Sequence, residues 1–282
     1  MKEIEETVHD IERPEKEENN KSMLEAESTH QLAASLDGLE QILGYKFKDK
    51  KLLEEAFTHH SYPNKSFSYE RLEYVGDSVL NLIFTKEHFF MYPNLAPGPL
   101  TRLRAANVDT EKLARVAIKH GLHQFLRHNM PLLQEQIREF SQAIADYPLH
   151  SNGQIEVPKV LADIVESTVG ATFIDDNCST DTVWKVFKNL LEPVIRLETL
   201  KMHPVTELYE VCNKRHMKVR FVDMWKECMS FNVFVDGKLA GKGTSASKKE
   251  IAHNRAAKDA LDNIHATILQ LKNQEVDTTE NS

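Results

Sequence analysis

The chain has 282 residues, more than one compact core usually organises, so two domains with tails are the natural expectation. No run approaches the roughly 18 uninterrupted apolar residues of a membrane span, and the composition excludes a membrane partner. A net charge of −8 argues against nucleic acid, because phosphate binding draws on Lys and Arg, until the charge is read by segment. Residues 1–36 carry four basic and ten acidic side chains, 37–202 carry 19 and 22, 203–265 carry eleven and eight, and 266–282 carry one and three. The acid excess therefore sits largely in the tails, and only 203–265 is net basic.

Taken in chain order, residues 1–36 are rich in Glu, Asn and Lys and poor in aromatics, the composition of a disordered segment that cannot bury enough apolar surface to fold. Their acidic start is not signal-like, so the protein is expected to be intracellular, nuclear and/or cytoplasmic, not secreted and without an organellar transit peptide. From 37 to 197 the apolar residues recur at helical spacing, as in Leu52, Leu53, Ala56 and Phe57, or Leu113, Val116 and Ala117, which predicts an all-α domain. Prolines at 93, 97, 99, 131, 148 and 158 punctuate it at helix boundaries. The stretch Tyr147 to Val157 reads as a surface loop.

Residues 204–266 change texture. A helix over Val205 to Met217 precedes strands at Lys218 to Val222, Ser230 to Val235 and Leu239 to Gly243. Asp236-Gly237 marks a hairpin between the last two. Ser245 or Ser247 caps a final helix bearing Ala252, Ala256, Ala257, Ala260 and Leu261. This is a small α-β-β-β-α module. The polar tail, 267–282, is expected to fray from Asn273 onward. Cys178, Cys212 and Cys228 are widely spaced and odd in number, so they form no zinc site and read as buried or idle thiols.

The chemistry concentrates in two acidic helices. In Glu-Arg-Leu-Glu-Tyr-Val-Gly-Asp-Ser-Val-Leu at 70–80, Glu70, Glu73 and Asp77 fall at i, i+3 and i+7 and share one face. Asp163 and Glu166 stand i, i+3 in the otherwise apolar stretch 160–171, where Ala162, Ser167, Gly170 and Ala171 permit close helix approach. Burying such acids unpaired costs several kcal/mol each, and hard divalent cations with oxygen ligands remove the conflict. The alternative is a pair of solvated acidic faces, with Arg71 neutralising one acid as a structural ion pair.

The wording of residues 70–80 closely resembles the signature of the ribonuclease III family. Supporting resemblances lie in order around it, at 52–62, 100–108 and 159–171, and 204–265 resembles a double-stranded-RNA-binding domain. The resemblance implies an all-α ribonuclease III domain (37–197) followed by the α+β double-stranded-RNA-binding domain (204–266). It implies a homodimer, each protomer cutting one strand of an RNA duplex to leave 5′-phosphates, 3′-hydroxyls and short 3′ overhangs. It places Glu73, Asp77, Asp163 and Glu166 on the four metal-binding positions, with Asp77 and Glu166 catalytic, Mg²⁺ (or Mn²⁺) as cofactor and Glu70 as a supporting acid. Tyr74 stands where the family carries a commoner Phe that inserts into the partner at the dimer interface. His59 and His60 read as loop or packing residues.

In the small module the resemblance puts Glu210 at a minor-groove contact and Lys248 and Lys249 at the N-terminus of the last helix, facing phosphate. Glu250 and His253 replace two lysines of the family's basic run, and the loop near Trp225 and Lys226 lacks the usual Gly-Pro-x-His. These departures leave open weak RNA binding, or docking to other RNA-processing proteins. Two further readings stand beside the active nuclease: a non-catalytic scaffold that keeps the fold, and an accessory factor.

Overall fold

A computed structural model describes residues 35–63 and 67–280, with side chains through 268. The segment 1–36, expected to be disordered, lies outside the described residues except for 35 and 36, which belong to helix α1 over 35–43. Leu36 is buried there. The helices that follow are α2 (Lys50–Ala56), α3 (Glu70–Met91), α4 (Pro97–Asn107), α5 (Thr110–Lys119), α6 (Leu133–Ala143), α7 (Val160–Asp175) and α8 (Thr180–Phe187). Local chemistry starts several of them. Asp49 and Ser179 accept backbone N–H groups ahead of α2 and α8, Asp109 accepts from Glu111 and Lys112 ahead of α5, and Pro97 opens α4. Among the described residues, no helix is long and apolar enough to cross a membrane.

Helix α7 is the axis of this first core. Its Leu161, Ile164, Val165, Val169 and Ala171 are all fully buried, and α2, α3, α5 and α8 pack around it. A helix apolar on most of its surface, with Asp163 and Glu166 on the remaining side, has little to turn to solvent and belongs at the centre. Each fully buried Leu, Ile or Val there contributes about 1.5–3 kcal/mol. Its three buried hydroxyls are satisfied internally: Ser167 Oγ donates to the Ala56 carbonyl at 2.7 Å, Thr168 Oγ1 to that of Ile164 at 2.5 Å and Thr172 Oγ1 to that of Thr168 at 2.9 Å.

The contact of α7 with α3 is one of backbone on backbone. A Cβ added at Gly76 would lie 1.7 Å from the Glu166 carbonyl oxygen, and one at Gly170 would lie 2.1 Å from that of Leu72. No side chain fits between the helices at these two points.

The second core is smaller. Helix α9 (Pro204–Asn213), strands β1 (Val219–Met224), β2 (Ser230–Val235) and β3 (Lys238–Thr244), and helix α11 (Lys249–Glu280) enclose Leu208, Cys212, Phe231, Val233, Ala252, Ala256, Ala257, Ala260 and Leu261. The sheet is antiparallel in the order β1-β2-β3. Asp236 (φ 49°) and Gly237 (φ 79°) turn the β2–β3 hairpin, as the Asp-Gly pair predicts.

Three details differ from the sequence reading. Residues Trp225–Cys228, expected in a loop, form a short helical turn, α10, with Trp225 half-buried against the second core. The backbone of α11 stays helical to Glu280, through the stretch expected to fray. The expected surface loop 147–157 is largely folded inward: Ser151, Gln154 and Ile155 are buried.

Replacing Gly170 by Ala should destabilise the protein by about 1–3 kcal/mol, because the methyl group has to force two backbones apart. The intrinsic gain of about 1 kcal/mol for Ala over Gly in a helix opposes this and is outweighed. Urea denaturation checks the balance; an unchanged or higher midpoint would refute the backbone contact.

Candidate active site

The close crossing of α3 and α7 sets Glu73 against Asp163 and Glu166. Carboxylate oxygens of these three residues all lie within 4.8 Å of one another. Asp77 stands one helical turn further along α3, outside that group but lining the same cavity of about 790 Å³. Its carboxylate accepts a hydrogen bond from Asn81 Nδ2 at 3.0 Å. The sequence-predicted acids are thus brought to one cavity, three of them in direct proximity.

The electrostatics show what this proximity costs. Burial pushes the Glu166 carboxyl up to about 8, and the neighbouring charges of Asp77, Asp163 and Glu73 push the same way. Burial also raises Asp163, against the hydrogen bonds it accepts from Lys159 and Tyr69. Lys159 Nζ bridges Asp163 at 2.5 Å and Glu73 at 2.7 Å, and these bonds hold it protonated above its ordinary range although burial opposes them. Tyr69 donates its hydroxyl to Asp163 at 3.1 Å. No ion pair is formed by Asp77 or Glu166 among the described residues.

Glu70 lies at the rim, where His60 Nδ1 meets its carboxylate at 2.8 Å. Burial would raise its pKa, but hydrogen bonds from Ser68 and His60 hold it below the usual carboxylate range. His59 is buried, with Nδ1 2.8 Å from Ser61 Oγ, and desolvation holds its pKa below the usual imidazole range. Both histidines line the cavity without touching the three grouped acids. Arg71, considered as a counter-ion, is exposed and acts on Glu55. The sequence reading missed Lys159 and Tyr69. Lys159 stands four residues before Asp163, a spacing that could have flagged it; Tyr69 gave no such signal.

The donor set fits a divalent cation. It is all oxygen, converges within the span that one ion or a close pair bridges, and leaves Glu166 and Asp77 without an ion pair among the described residues. Glu73, Asp163 and Glu166 would hold such an ion, with Asp77 beside them.

In the small module, Glu210 is exposed and 3.8 Å from Lys214. Lys249 pairs with Asp223 at 2.5 Å and Lys248 with Glu156 at 3.5 Å. Tyr74 projects from α3 at the edge of the cavity, 78% exposed.

A helical domain with a convergent carboxylate site, followed by an α-β-β-β-α module, defines a nuclease-type domain joined to an RNA-binding one. Residues 70–177 match the model of the ribonuclease III domain, and 204–264 match that of the double-stranded RNA binding motif. The chain is 53% identical over 236 residues to ribonuclease 3-like protein 3 of Oryza sativa subsp. japonica, covering 82% of this chain and 79% of that one. It is 43% identical to ribonuclease 3-like protein 2 of the same organism, covering 79% and 72%. Similarity to endoribonuclease Dicer homolog 1 of Arabidopsis thaliana is 44%, over 79% of this chain but only 12% of that one. The chain belongs to the ribonuclease III family and is an endoribonuclease of that type.

Replacing Glu166 by Gln should stabilise the metal-free protein. A carboxyl raised from 4.5 to about 8 favours the fold fully below pH 4.5 and loses that contribution as pH rises through about 8. The unfolding free energy of the variant in chelator, read from urea denaturation, should therefore pull ahead of wild type between pH 5 and pH 8, by roughly 1 kcal/mol after solvent screening. A gap that stays flat or reverses across that range contradicts the repulsion described.

Proposed function

We propose that the chain hydrolyses double-stranded RNA at the Glu73, Asp77, Asp163 and Glu166 site with two divalent cations, Mg²⁺ or Mn²⁺, in RNA processing. The products are 5′-phosphate and 3′-hydroxyl ends with short 3′ overhangs. The observation that carries this reading is the convergence of acids from two helices on one cavity with their charge incompletely neutralised. Bound cations supply an activated water and stabilise the leaving oxygen of the phosphodiester. Glu166 and Asp77 have the catalytic roles, Glu73 and Asp163 complete the ligand set, and Glu70 supports from the rim. Tyr69 orients Asp163, which keeps its carboxylate aimed into the cavity, while Lys159 holds Glu73 and Asp163 until a cation takes its place.

Duplex binding falls to the second module, through Glu210, Lys248 and Lys249. A homodimer is supported by the outer face of α3, where Tyr74, Leu82 and Phe89 fall on one exposed stripe. Apolar side chains of this size in a row mark a contact surface, and a twofold axis there would set two acid sites on one duplex.

A non-catalytic scaffold has one observation in its favour: Lys159 already pairs with two of the four acids. It leaves unexplained why Glu166 and Asp77 stand beside them with no cation of their own among the described residues.

The deciding experiment incubates a long labelled RNA duplex with wild type and the Glu166→Gln variant, with and without Mg²⁺. Metal-dependent cutting by wild type, reduced at least about 10³-fold in the variant, is expected; duplex binding without cutting by either supports the scaffold. Tyr74→Arg should convert a dimer to a monomer in light scattering, and an unchanged mass would remove Tyr74 from the interface.

A further inference from the structure

The loop over 147–157 is built at more expense than a connection needs. Its anchor is Glu111 of α5, a carboxylate only 3% exposed, which takes Nε and Nη2 of Arg115 at 2.9 and 2.7 Å and the backbone N–H of Ser151 at 2.8 Å. Ser151 Oγ adds a 2.5 Å hydrogen bond to the same side chain, and Arg115 Nη1 donates to the Tyr147 carbonyl at 2.7 Å. His150 joins Asp109 at 2.7 Å. The network lies away from the acid cavity and takes no part in it. What it holds in place is a short edge of backbone, Gly153 to Glu156.

That edge carries the second module. Asn254 Nδ2 donates to the Gly153 carbonyl at 3.2 Å, Arg255 Nε donates to that of Gln154 at 2.9 Å, and Lys248 pairs with Glu156 at 3.5 Å. Asn254 and Gln154 are buried to 3% and 4% exposure. Gly153 has φ 78°, and a Cβ there would fall 2.4 Å from Asn254 Nδ2, so the contact uses the absence of a side chain. The first turns of α11 thus rest on the loop by polar contacts, beside which Ile155 and Ile251 are buried along the same cleft.

The clefts on either side contain two of the three residues to which duplex binding was assigned; the third, Lys249, pairs with Asp223 outside them. Glu210 lines one, between α9, α11 and the loop, and Lys248 lines the other, with Glu250 and His203. We infer that the loop 147–157 holds the small domain in a closed state in which its RNA-facing side is turned to the catalytic domain, and that duplex RNA must release this contact to bind. The inference rests on the assignment of Glu210 and Lys248 to RNA. Two hydrogen bonds and one exposed ion pair are few enough contacts to be released, and a binding-competent state populated only in part lowers apparent affinity by that fraction. An A-form duplex pressed against Glu210 and Lys248 competes for the space that the loop occupies, and its phosphates compete with Glu156 for Lys248.

Two measurements on the full chain test this. In wild type, amide hydrogen exchange at 151–156 should speed up on adding a duplex that the enzyme cannot cut in the presence of chelator. In the Glu156→Lys variant, which sets two lysines against each other, the same amides should exchange faster without RNA, and the duplex should bind at least about threefold tighter. Exchange at 151–156 that slows or stays constant on duplex binding overturns the closed state, as does a variant that opens and binds no more tightly. If neither protein binds the duplex, the RNA assignment itself falls and takes this inference with it; binding without loop release sinks the inference alone.

Discussion

Gly76 and Gly170 leave two gaps in the side-chain surfaces of α3 and α7, and the backbones meet through them. Helices whose axes approach this closely bring side chains on their flanks closer than ordinary packing allows. Glu73 on one and Asp163 and Glu166 on the other therefore share a space into which Lys159 and Tyr69 also reach. The repulsion among these acids is offset by the apolar burial of α7 on its other faces. The fold is stable enough to hold an arrangement that, without counter-charge, opposes it.

That conflict is the functional content of the site. A cluster neutralised by protein cations would be inert toward metals, and one left fully exposed would be a solvated patch. Here Lys159 satisfies Glu73 and Asp163 while Glu166 remains driven toward its neutral form. The lysine side chain is 67% exposed, so it can leave without opening the core. A cation entering the cavity would exchange with this lysine.

Much of this was legible in the sequence. Helical spacing alone set Glu73 with Asp77 and Asp163 with Glu166, and the small residues of 162–171 predicted a close neighbour. The Asp236-Gly237 pair fixed the hairpin of the second module through local turn chemistry. What escaped were features decided by tertiary contact. Lys159 and Tyr69 matter because of what α3 and α7 bring to them, not because of any local pattern. The loop 147–157 reads as polar connection, since Ser, Asn, Gly and Gln give no apolar period; its burial comes from hydrogen bonds to Glu111 of α5, 40 residues earlier in the chain. The extent of α11 beyond its apolar positions has no counterpart in periodicity either.

The account turns on whether acids of α3 and α7 hold a cation together. Anomalous diffraction from crystals soaked in Mn²⁺ asks this most directly. The expected result is a peak about 2 Å from carboxylate oxygens of Glu73, Asp163 and Glu166, with Lys159 withdrawn from Glu73 and Asp163. Ordered density with Lys159 still bridging those two acids and no peak in the cavity would contradict it.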